Sequence, residues 1–347
     1  MTEVQREDAE RTAASMLVPW EDFDGTTVVV TGATGLIGKA LVGTLLERER
    51  RVGAGTRVVA LVRNVRKARE LFGEPACLEV VPWDAWRPIE NLDKVLAADH
   101  IFHCANMTDS ASFVERPVDV ILTTFKSTEA LLELALRTGA GFCQLSTMEV
   151  YGEVAKDGAL GEDEGGFLDS MNVRNSYPEA KRLDEALCAA YASQHGVHAV
   201  VVRLAQTFGP GVPKDDGRVF AYFARCATGG EDIVLLTDGT KSNSYLYTAD
   251  AVSALLVAAS RGRAGGAYNA ANDDTFCMVR DMGRLVLERF GSPGARVRIQ
   301  IDEEASRRFR KGSVLRLDTS RLRDLGWRPV TGLADMFSRM IDDWRER

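Results

Sequence analysis

The sequence predicts an α/β protein, with a Rossmann-type, doubly wound parallel sheet followed by a smaller C-terminal α/β domain. Residues 28–38 read as a valine strand, a glycine-rich turn and the start of a helix. From there to residue 204, apolar β-branched runs alternate with helix-like segments, which is typical of a parallel sheet covered by helices on both faces. After residue 211 the alternation gives way to glycine turns, short strands and shorter helices, which indicates a second unit.

The glycine-rich turn has the spacing of a dinucleotide-binding site. The sharp turn needs Gly32, Gly35 lets a pyrophosphate approach the main chain, and Gly38 lets the helix pack closely on the strand. The free N–H groups and the positive dipole end of the helix then face the phosphates. Three glycines alone are a weak signal, but the strand before them and the amphipathic helix after them supply the required context. The expected dinucleotide contacts are Gly32, Thr34, Gly35, Leu36, Ile37, Gly38 and, after the fourth strand, Ala105 and Asn106.

The other predicted elements of the first unit follow in order along the chain. The strands are at 57–62, 78–81, 100–104, 141–146 and 199–204. One helix ends near residue 72, a second lies near 89–97, and two more lie at 114–138 and 178–195. Residues 153–176 are polar and glycine-rich, which indicates a long loop near the site. The predicted organisation is an N-terminal extension at 1–24, a dinucleotide-binding Rossmann domain at 25–205 to which 245–262 returns, and a substrate domain at 206–244 and 263–347. Trp20 and Phe23 are expected to clamp the extension, which could equally be loose.

Composition excludes several classes of protein. Hydrophobic residues are 45%, charged residues are 27% and the net charge is -7 with interspersed signs, which argues against nucleic-acid binding. The six cysteines show no Cys-x-x-Cys spacing, so we expect reduced thiols, no metal site and a cytoplasmic protein. The first 24 residues lack the apolar core of a signal peptide, and no run of 18 apolar residues predicts a membrane span.

Tyr177 and Lys181 are four residues apart at the start of a predicted helix, so their side chains share one face. An ammonium group beside a phenol favours the phenolate, and an oxidised nicotinamide ring adds to that effect. Such a phenol can accept a proton from a sugar hydroxyl while hydride leaves the carbon. The spacing also arises by chance on a solvated helix face, but here it follows a dinucleotide turn and a threonine-bearing strand end.

Four motifs together resemble the extended short-chain dehydrogenase/reductase superfamily, in the group of nucleotide-sugar epimerases, dehydratases and decarboxylases. The resemblance covers residues 26 to about 330. The motifs are Thr31-Gly32-x-x-Gly35-x-x-Gly38, Ser146-Thr147-x-x-Val150-Tyr151-Gly152, Tyr177-x-x-x-Lys181 and Arg203-x-x-x-x-Phe208-Gly209-Pro210. The details around Arg174, Arg182 and Arg218 are most similar to UDP-glucuronate decarboxylases.

The resemblance implies a shared first step and its catalytic residues. Tyr177 would take a proton from the sugar 4-hydroxyl, Thr147 would hydrogen-bond that hydroxyl, and Lys181 would hold the nicotinamide ribose and lower the tyrosine pKa. Hydride passes to the cofactor, and the resulting 4-keto sugar has an acidic C5–H. Glu149 is placed to use that acidity, although it could instead pair with Arg174 or cap a loop. Related 4,6-dehydratases have an Asp-Glu pair where this chain has Met148-Glu149, and methionine cannot donate a proton.

The resemblance also implies substrate-binding residues. They are Thr147, Arg174, Gln206, Arg218, Asn243 and Arg310. Asn243 stands where decarboxylases have an arginine, which departs from their handling of glucuronate. Arg310 resembles a diphosphate-binding arginine, since a bidentate guanidinium suits a pyrophosphate, but Arg307 and Arg308 lie beside it. Arg174 either binds substrate or stabilises the preceding loop.

The identity of the dinucleotide rests on Arg63. An acidic residue after the second strand would bind the ribose hydroxyls of NAD, but this chain has Val62 followed by Arg63, which can pair with a 2′-phosphate. We therefore favour NADP slightly over NAD, although Arg63 stacked on the adenine would accept either. In relatives the aspartate after the third strand meets the adenine, and Asp84 holds that place.

The function expected from the resemblance is a redox-neutral enzyme of the epimerase, dehydratase or decarboxylase type, which oxidises C4 of a nucleoside-diphosphate sugar and remodels the 4-keto intermediate. The alternative is an NADPH-dependent reductase of a nucleotide-linked keto sugar. Relatives pair the helices at 114–138 and 178–195 in a homodimer, and Leu183, Leu187 and Tyr191 fit either that interface or the core. We further expect His103 to be a packed strand residue and Asp250 to be a helix N-cap.

Overall fold

The computed structural model describes residues 1–87, 89, 94–109, 111–154, 158–302 and 314–347. The strands are β1 (Thr27–Thr31), β2 (Arg57–Val62), β3 (Leu78–Pro82), β4 (His100–His103), β5 (Gly141–Thr147), β6 (Ala199–Leu204), β7 (Gln206–Phe208), β8 (Ile233–Leu235), β9 (Ser242–Tyr247), β10 (Gly266–Ala270), β11 (Asn272–Met278), β12 (Val297–Ile299) and β13 (Val314–Leu315). The helices are α1 (Glu3–Ala13), α2 (Leu36–Val52), α3 (Val65–Phe72), α4 (Ser112–Glu115), α5 (Pro117–Thr138), α6 (Ser176–His195), α7 (Val219–Gly229), α8 (Thr248–Arg261), α9 (Val279–Phe290), α10 (Ser320–Asp324) and α11 (Leu333–Glu346).

Seven parallel strands form the central sheet, in the order β10-β6-β5-β4-β1-β2-β3. The chain runs outward from β1 to β3, then crosses back to β4 on the other side of β1. This reversal creates a crevice at the carboxyl ends of β1 and β4, which is where open α/β sheets bind ligands. The predicted doubly wound sheet is confirmed.

Side chains alternate between the two faces of this sheet. In β1, Val28 and Val30 join a core with α2 and α8, while Val29 joins a second core with α5 and α6. Both faces are covered, so a strand buried on both sides reads as a continuous apolar run. This is why the predicted bounds of β2 and β6 agree with the structure.

A second unit packs around its own aromatic core. Phe208, Phe220 and Phe337 are fully buried there, with the Phe208 and Phe220 rings stacked at a centroid distance of 4.5 Å. Strands β7, β11 and β13 all pair with β9, and β8 pairs with β12. This unit follows the carboxyl end of β6, so it brings side chains toward the crevice.

The N-terminal extension is docked on the body of the protein. Helix α1 contacts α2, α8 and α11, and Trp20 and Phe23 are both buried in the larger core. Asp8 accepts a hydrogen bond from the Tyr247 phenol and another from Arg339 Nε at 3.0 Å. The expectation that Trp20 and Phe23 clamp this segment is confirmed.

Three details differ from the sequence predictions. The single helix predicted at 114–138 is two helices, because Arg116 has a non-helical backbone and Pro117 begins α5. Helix α6 starts at Ser176, which places Tyr177 in its first turn. Strand β10 belongs to the central sheet, so the prediction that 263–347 lies wholly in the smaller domain is wrong there. The helix predicted near 89–97 falls partly outside the described residues.

Asp250 is not the N-cap of α8, so that sequence prediction is wrong. Helix α8 begins at Thr248, and the Asp250 carboxylate accepts the Thr331 backbone N–H at 3.0 Å instead. It therefore ties α8 to the segment before α11.

The remaining sequence expectations concern disulfides, membrane-spanning helices and metal sites. All six cysteines are free thiols. In the described ranges no helix has the length and apolar character needed to cross a bilayer, and no three metal-ligating side chains converge.

Candidate active site

The glycine turn after β1 forms a tight cradle at the crevice. Gly32 has a φ of 62°, and a Cβ placed on it would lie 2.7 Å from the Cα of Ala105, which follows β4. A Cβ on Gly38 would lie 2.3 Å from the Gly32 carbonyl oxygen. The turn is closed by the Gly35 N–H, which donates to the Gly32 oxygen at 2.8 Å. Only glycine fits at these two close approaches.

Helix α2 starts directly from this turn. Gly35 is its extended N-cap residue, and Leu36 and Ile37 are its first two residues. Amide groups in a first helical turn have no acceptor within the helix, so they are available to an anion. The predicted contacts Thr34, Gly35, Leu36, Ile37 and Gly38 thus lie together, and the cradle fits the diphosphate of a dinucleotide.

Buried hydrogen bonds hold the neighbouring end of β4. His103 contacts Thr31 Oγ1 through Nδ1 at 2.7 Å and Ser127 Oγ through Nε2 at 3.0 Å. Thr31 Oγ1 in turn accepts the Ala105 N–H at 3.2 Å. Burial holds the pKa of His103 well below its usual range, so it is a neutral structural residue, as predicted. Asn106 is oriented by the Thr124 hydroxyl, which donates to its Oδ1 at 3.0 Å.

Tyr177 lies at the carboxyl end of β5, buried against Phe113. Its ring stacks on Phe113 with centroids 4.7 Å apart and planes 1° apart. The Thr147 hydroxyl hydrogen-bonds the phenol. Burial is the main cause that raises the pKa of Tyr177, and the nearby Glu149 charge adds to it, while the Thr147 hydrogen bond and Arg218 oppose the rise. The phenol therefore needs further positive charge before it can act as a base.

Lys181 is buried beside Tyr177 but is not hydrogen-bonded to it. Its Nζ donates to the Leu145 carbonyl at 2.9 Å and to Asp184 Oδ2 at 3.2 Å. The expected lowering of the tyrosine pKa by Lys181 is thus offset, because a buried carboxylate shares the ammonium charge.

Glu149 and Arg174 face each other next to the phenol. Arg174 NH1 lies 3.9 Å from Glu149 Oε2, and the Arg174 guanidinium lies 5.0 Å above the Phe113 ring. The Glu149 N–H donates to Thr147 Oγ1 at 3.2 Å, which fixes the turn after β5. Glu149 is paired with Arg174 as the structural alternative predicted, and it also lies close enough to Tyr177 to influence its pKa.

The remaining predicted substrate residues are dispersed. Arg218 is held by the Asp216 carboxylate, which accepts hydrogen bonds from its Nε at 3.0 Å and its NH2 at 2.7 Å among others, and its charge reaches Tyr177. Gln206 and Asn243 lie on the adjacent strands β7 and β9, and both Asn243 and Gln206 are near Tyr245 on β9. Arg310 lies outside the described residues.

Arg63 and Asp84 follow the adjacent strands β2 and β3 at the outer end of the crevice. Arg63 is exposed, and Asp84 Oδ1 accepts the Trp86 N–H at 3.0 Å. Both positions suit the adenosine end of a dinucleotide that lies with its diphosphate over the glycine cradle.

Two residues of this site were missed by sequence reasoning. Phe113, which stacks on Tyr177, belongs to the short helix α4, which ends at Glu115, and no spacing rule connects it to residue 177. Asp184 could have been noticed, because it is a charged residue three positions after Lys181 and so shares its buried helix face.

The fold and these contacts define a class of enzyme. Hydride transfer to a nicotinamide dinucleotide needs a diphosphate cradle and a proton-accepting group beside the substrate, and both lie at one edge of the sheet. The chain is therefore an NAD(P)-dependent enzyme of the extended short-chain dehydrogenase/reductase type.

The comparisons place it more narrowly. The chain belongs to the NAD dependent epimerase/dehydratase family, whose model matches residues 28–271. It is 30% identical over 323 residues to UDP-glucuronic acid decarboxylase 3 of Arabidopsis thaliana, covering 92% of this chain and 89% of the relative. The expected family is thus confirmed.

Solved structures agree on the fold. An epimerase from Methanothermobacter thermautotrophicus superposes with a TM-score of 0.79 at 22% identity, covering 96% of each chain. The dTDP-glucose 4,6-dehydratase DesIV from Streptomyces venezuelae, solved with NAD, superposes with a TM-score of 0.76 at 24% identity, covering 93% of this chain and 98% of that one. The family uses a nicotinamide cofactor, but these comparisons give no support to the expected lean to NADP.

Proposed function

We propose that this enzyme oxidises C4 of a nucleoside-diphosphate sugar, remodels the 4-keto intermediate as a decarboxylase, and returns the hydride. The observation that carries the proposal is the buried Tyr177 phenol, hydrogen-bonded by Thr147 and flanked by Glu149. When bound, the cofactor accepts and returns the hydride and adds positive charge near the phenol.

Tyr177 is proposed to take the proton of the C4 hydroxyl. The Thr147 hydroxyl already hydrogen-bonds the phenol oxygen, so both can contact one substrate hydroxyl. The stack on Phe113 fixes the plane of the ring, which limits the positions that the oxygen can occupy.

Glu149 is proposed to move a proton at C5. In a sugar with a C5 carboxylate, C4 oxidation gives a β-keto acid, the C5–carboxylate bond breaks to release carbon dioxide, and the enolate accepts at C5 a proton that Glu149 transfers from solvent. Arg174 and Arg218 supply positive charge near Tyr177, which favours an anionic sugar. The decarboxylase relative in Arabidopsis thaliana supports this choice. Asn243, in place of the arginine of decarboxylases, predicts a weaker hold on glucuronate.

The remaining predicted contacts are proposed for the other parts of the two ligands. Lys181 would hold the nicotinamide ribose, Asp84 the adenine, and Gln206, Asn243 and Arg310 the nucleotide sugar. Arg63 at the end of β2 supports binding of a 2′-phosphate, but the family resemblance favours NAD. Measurement of the nucleotide released on denaturation decides between them, and NAD alone with no binding of NADP would refute the Arg63 argument.

The second candidate is a reductase that uses free NADPH to reduce a nucleotide-linked keto sugar. The exposed position of Arg63 favours it, since a 2′-phosphate there would permit exchange of NADPH at each turnover. Stoichiometric loss of NADPH absorbance with substrate would support the reductase, whereas a cofactor that copurifies tightly would support the redox-neutral enzyme.

The chain is also proposed to be a cytoplasmic homodimer. Val118 on α5 and Leu183 on α6 expose 64% and 41% of their surface, which supports association through these helices, although Leu187 and Tyr191 pack against the internal core. The predicted bounds of the substrate domain remain part of this proposal, except at β10. Light scattering at low concentration tests the dimer.

The proposed reaction is tested with a panel of UDP-, dTDP-, CDP- and GDP-sugars that includes UDP-glucuronate, with products read by mass spectrometry. We expect loss of carbon dioxide from the uronate. Tyr177→Phe should lower turnover by about 10²- to 10⁴-fold without loss of cofactor. Tyr191→Phe, also on α6 but bonded to Glu133, is the matched control and should retain activity. Full turnover by Tyr177→Phe would refute the assignment.

A further inference from the structure

The buried carboxylate of Asp184 lies beside Lys181, three residues after it on α6. Asp184 is fully buried, and its Oδ2 accepts hydrogen bonds from Lys181 Nζ at 3.2 Å and from Gln144 Nε2 at 3.0 Å. The Thr128 hydroxyl faces this carboxylate from α5 and lowers its pKa. A buried charge is retained only when such partners compensate its loss of solvation.

This carboxylate sets the position of the Lys181 ammonium. Lys181 Nζ donates to the Leu145 carbonyl and to Asp184, so two acceptors fix the ammonium in the protein interior. With one turn of helix between them, Lys181 and Asp184 cannot separate without leaving a buried charge unpaired.

The charge of Asp184 also reaches the phenol. Asp184 raises the pKa of Tyr177 in the same direction as burial and Glu149, whereas Arg218 lowers it. The groups that face Asp184 or Lys181 from every neighbouring element are Glu185 and Cys188 on α6, Thr128 on α5, Gln144 on β5, and His103 and Cys104 at the end of β4. Burial raises the pKa of Asp184 to about 6, with Lys181 opposing, so it is ionised at neutral pH.

We propose that Asp184 is a positioning residue for the oxidation at C4: it fixes the Lys181 ammonium and reduces the positive charge that Tyr177 experiences. This inference rests on the roles proposed for Tyr177 and Lys181. The pair keeps the phenol protonated until a bound cofactor adds positive charge, so proton removal is confined to the site with its cofactor bound.

The test is the pH at which Tyr177 ionises in the holoenzyme, in wild type and in Asp184→Asn. Tyrosinate absorbance is followed in each enzyme and in its Tyr177→Phe counterpart, and the difference isolates this phenol. Removal of one nearby negative charge should lower the ionisation pH by about one unit. The midpoint of the pH profile for sugar turnover should move in the same direction.

Two further variants make the result specific. Asp250→Asn removes another buried aspartate, whose pKa burial also raises to about 6, away from the site, and should leave the Tyr177 ionisation unchanged. Gln144→Leu removes a donor to Asp184 and favours its neutral form, so it should shift Tyr177 in the same direction by a smaller amount. It provides the test where Asp184→Asn does not fold.

The inference is overturned if Tyr177 in the Asp184→Asn enzyme ionises at the same pH as in wild type or at a higher pH. It is also overturned if the variant shows no ionisation of Tyr177 at a lower pH than wild type within the pH range where the fold survives. Uniform loss of activity at every pH, with no shift, would show a purely structural role and also overturn it. Retained sugar turnover by Tyr177→Phe, together with the expected shift, would instead refute the proposed function while the coupling of Asp184 to Tyr177 stood.

Discussion

The ring of Phe113 stacks on the ring of Tyr177, with 4.7 Å between centroids and 1° between planes. The Arg174 guanidinium lies over the same Phe113 ring, 5.0 Å from its centroid. Three side chains from α4, from the loop before α6 and from α6 itself therefore form one stack. The orientation of the phenol depends on this stack as well as on its own helix.

Phe113→Leu should lower kcat by roughly two- to tenfold, because an aromatic pair contributes about 0.5–1.5 kcal/mol beyond burial and its loss frees the phenol ring. Cofactor affinity should not change, since the dinucleotide cradle is formed by other elements. Steady-state kinetics and cofactor titration measure the two effects. Val114→Ala, at an exposed neighbour on α4, is the control, and equal loss in both variants would contradict the stacking argument.

Gly32→Ala should weaken cofactor binding more than tenfold. Its Cβ would lie 2.7 Å from the Ala105 backbone, so β1 and β4 must separate at the crevice. Gly53→Ala is the matched control, because Gly53 also has a positive φ, of 60°, but has nothing within 4 Å of the added Cβ. It should lose only about 1–2 kcal/mol of stability through backbone strain and bind cofactor normally. Fluorescence titration of the reduced cofactor separates the cases, and equal affinities would be inconsistent with a clash.

Asp8→Ala should lower the free energy of unfolding by about 3–5 kcal/mol, because it leaves Arg339 and Tyr247 without their shared buried partner. Urea denaturation measures this loss. Glu7→Ala removes an exposed partner of the same arginine and should change stability by less than about 1 kcal/mol. A similar small effect for both variants would mean that the N-terminal extension contributes little to the fold.

Asp250 should make the free energy of unfolding depend on pH. Burial raises its pKa from 3.8 to about 6, while the backbone N–H groups of Val330 and Thr331 oppose the rise. The folded chain binds this proton more tightly than the unfolded chain, so the stabilisation is complete below pH 3.8 and is lost as pH rises through about 6. The stability of wild type relative to Asp250→Asn should therefore decrease over that interval. Urea unfolding of both proteins at a series of pH values checks this, and a constant difference would contradict it.

The sequence alone predicted some strands of the central sheet and missed another. Strands β2 and β6 were predicted with the observed bounds because both of their faces are buried and their residues are nearly all β-branched or apolar. Strand β10 was missed because its sequence, Gly-Ala-Tyr-Asn-Ala, contains no β-branched residue, although the strand is buried and pairs with β6. The break before α5 was available from Pro117, which starts a helix more readily than it continues one.

The sequence by itself determined the sheet, the glycine cradle and the spacing of Tyr177 and Lys181, because local turn chemistry and periodicity control these features. Only the tertiary structure decided what surrounds them. Phe113 and Tyr177 are 64 residues apart by their numbers, and Asp8 meets Arg339 across 331 positions. Contacts between distant segments depend on how whole elements pack, and burial by that packing sets the charge state on which the chemistry depends.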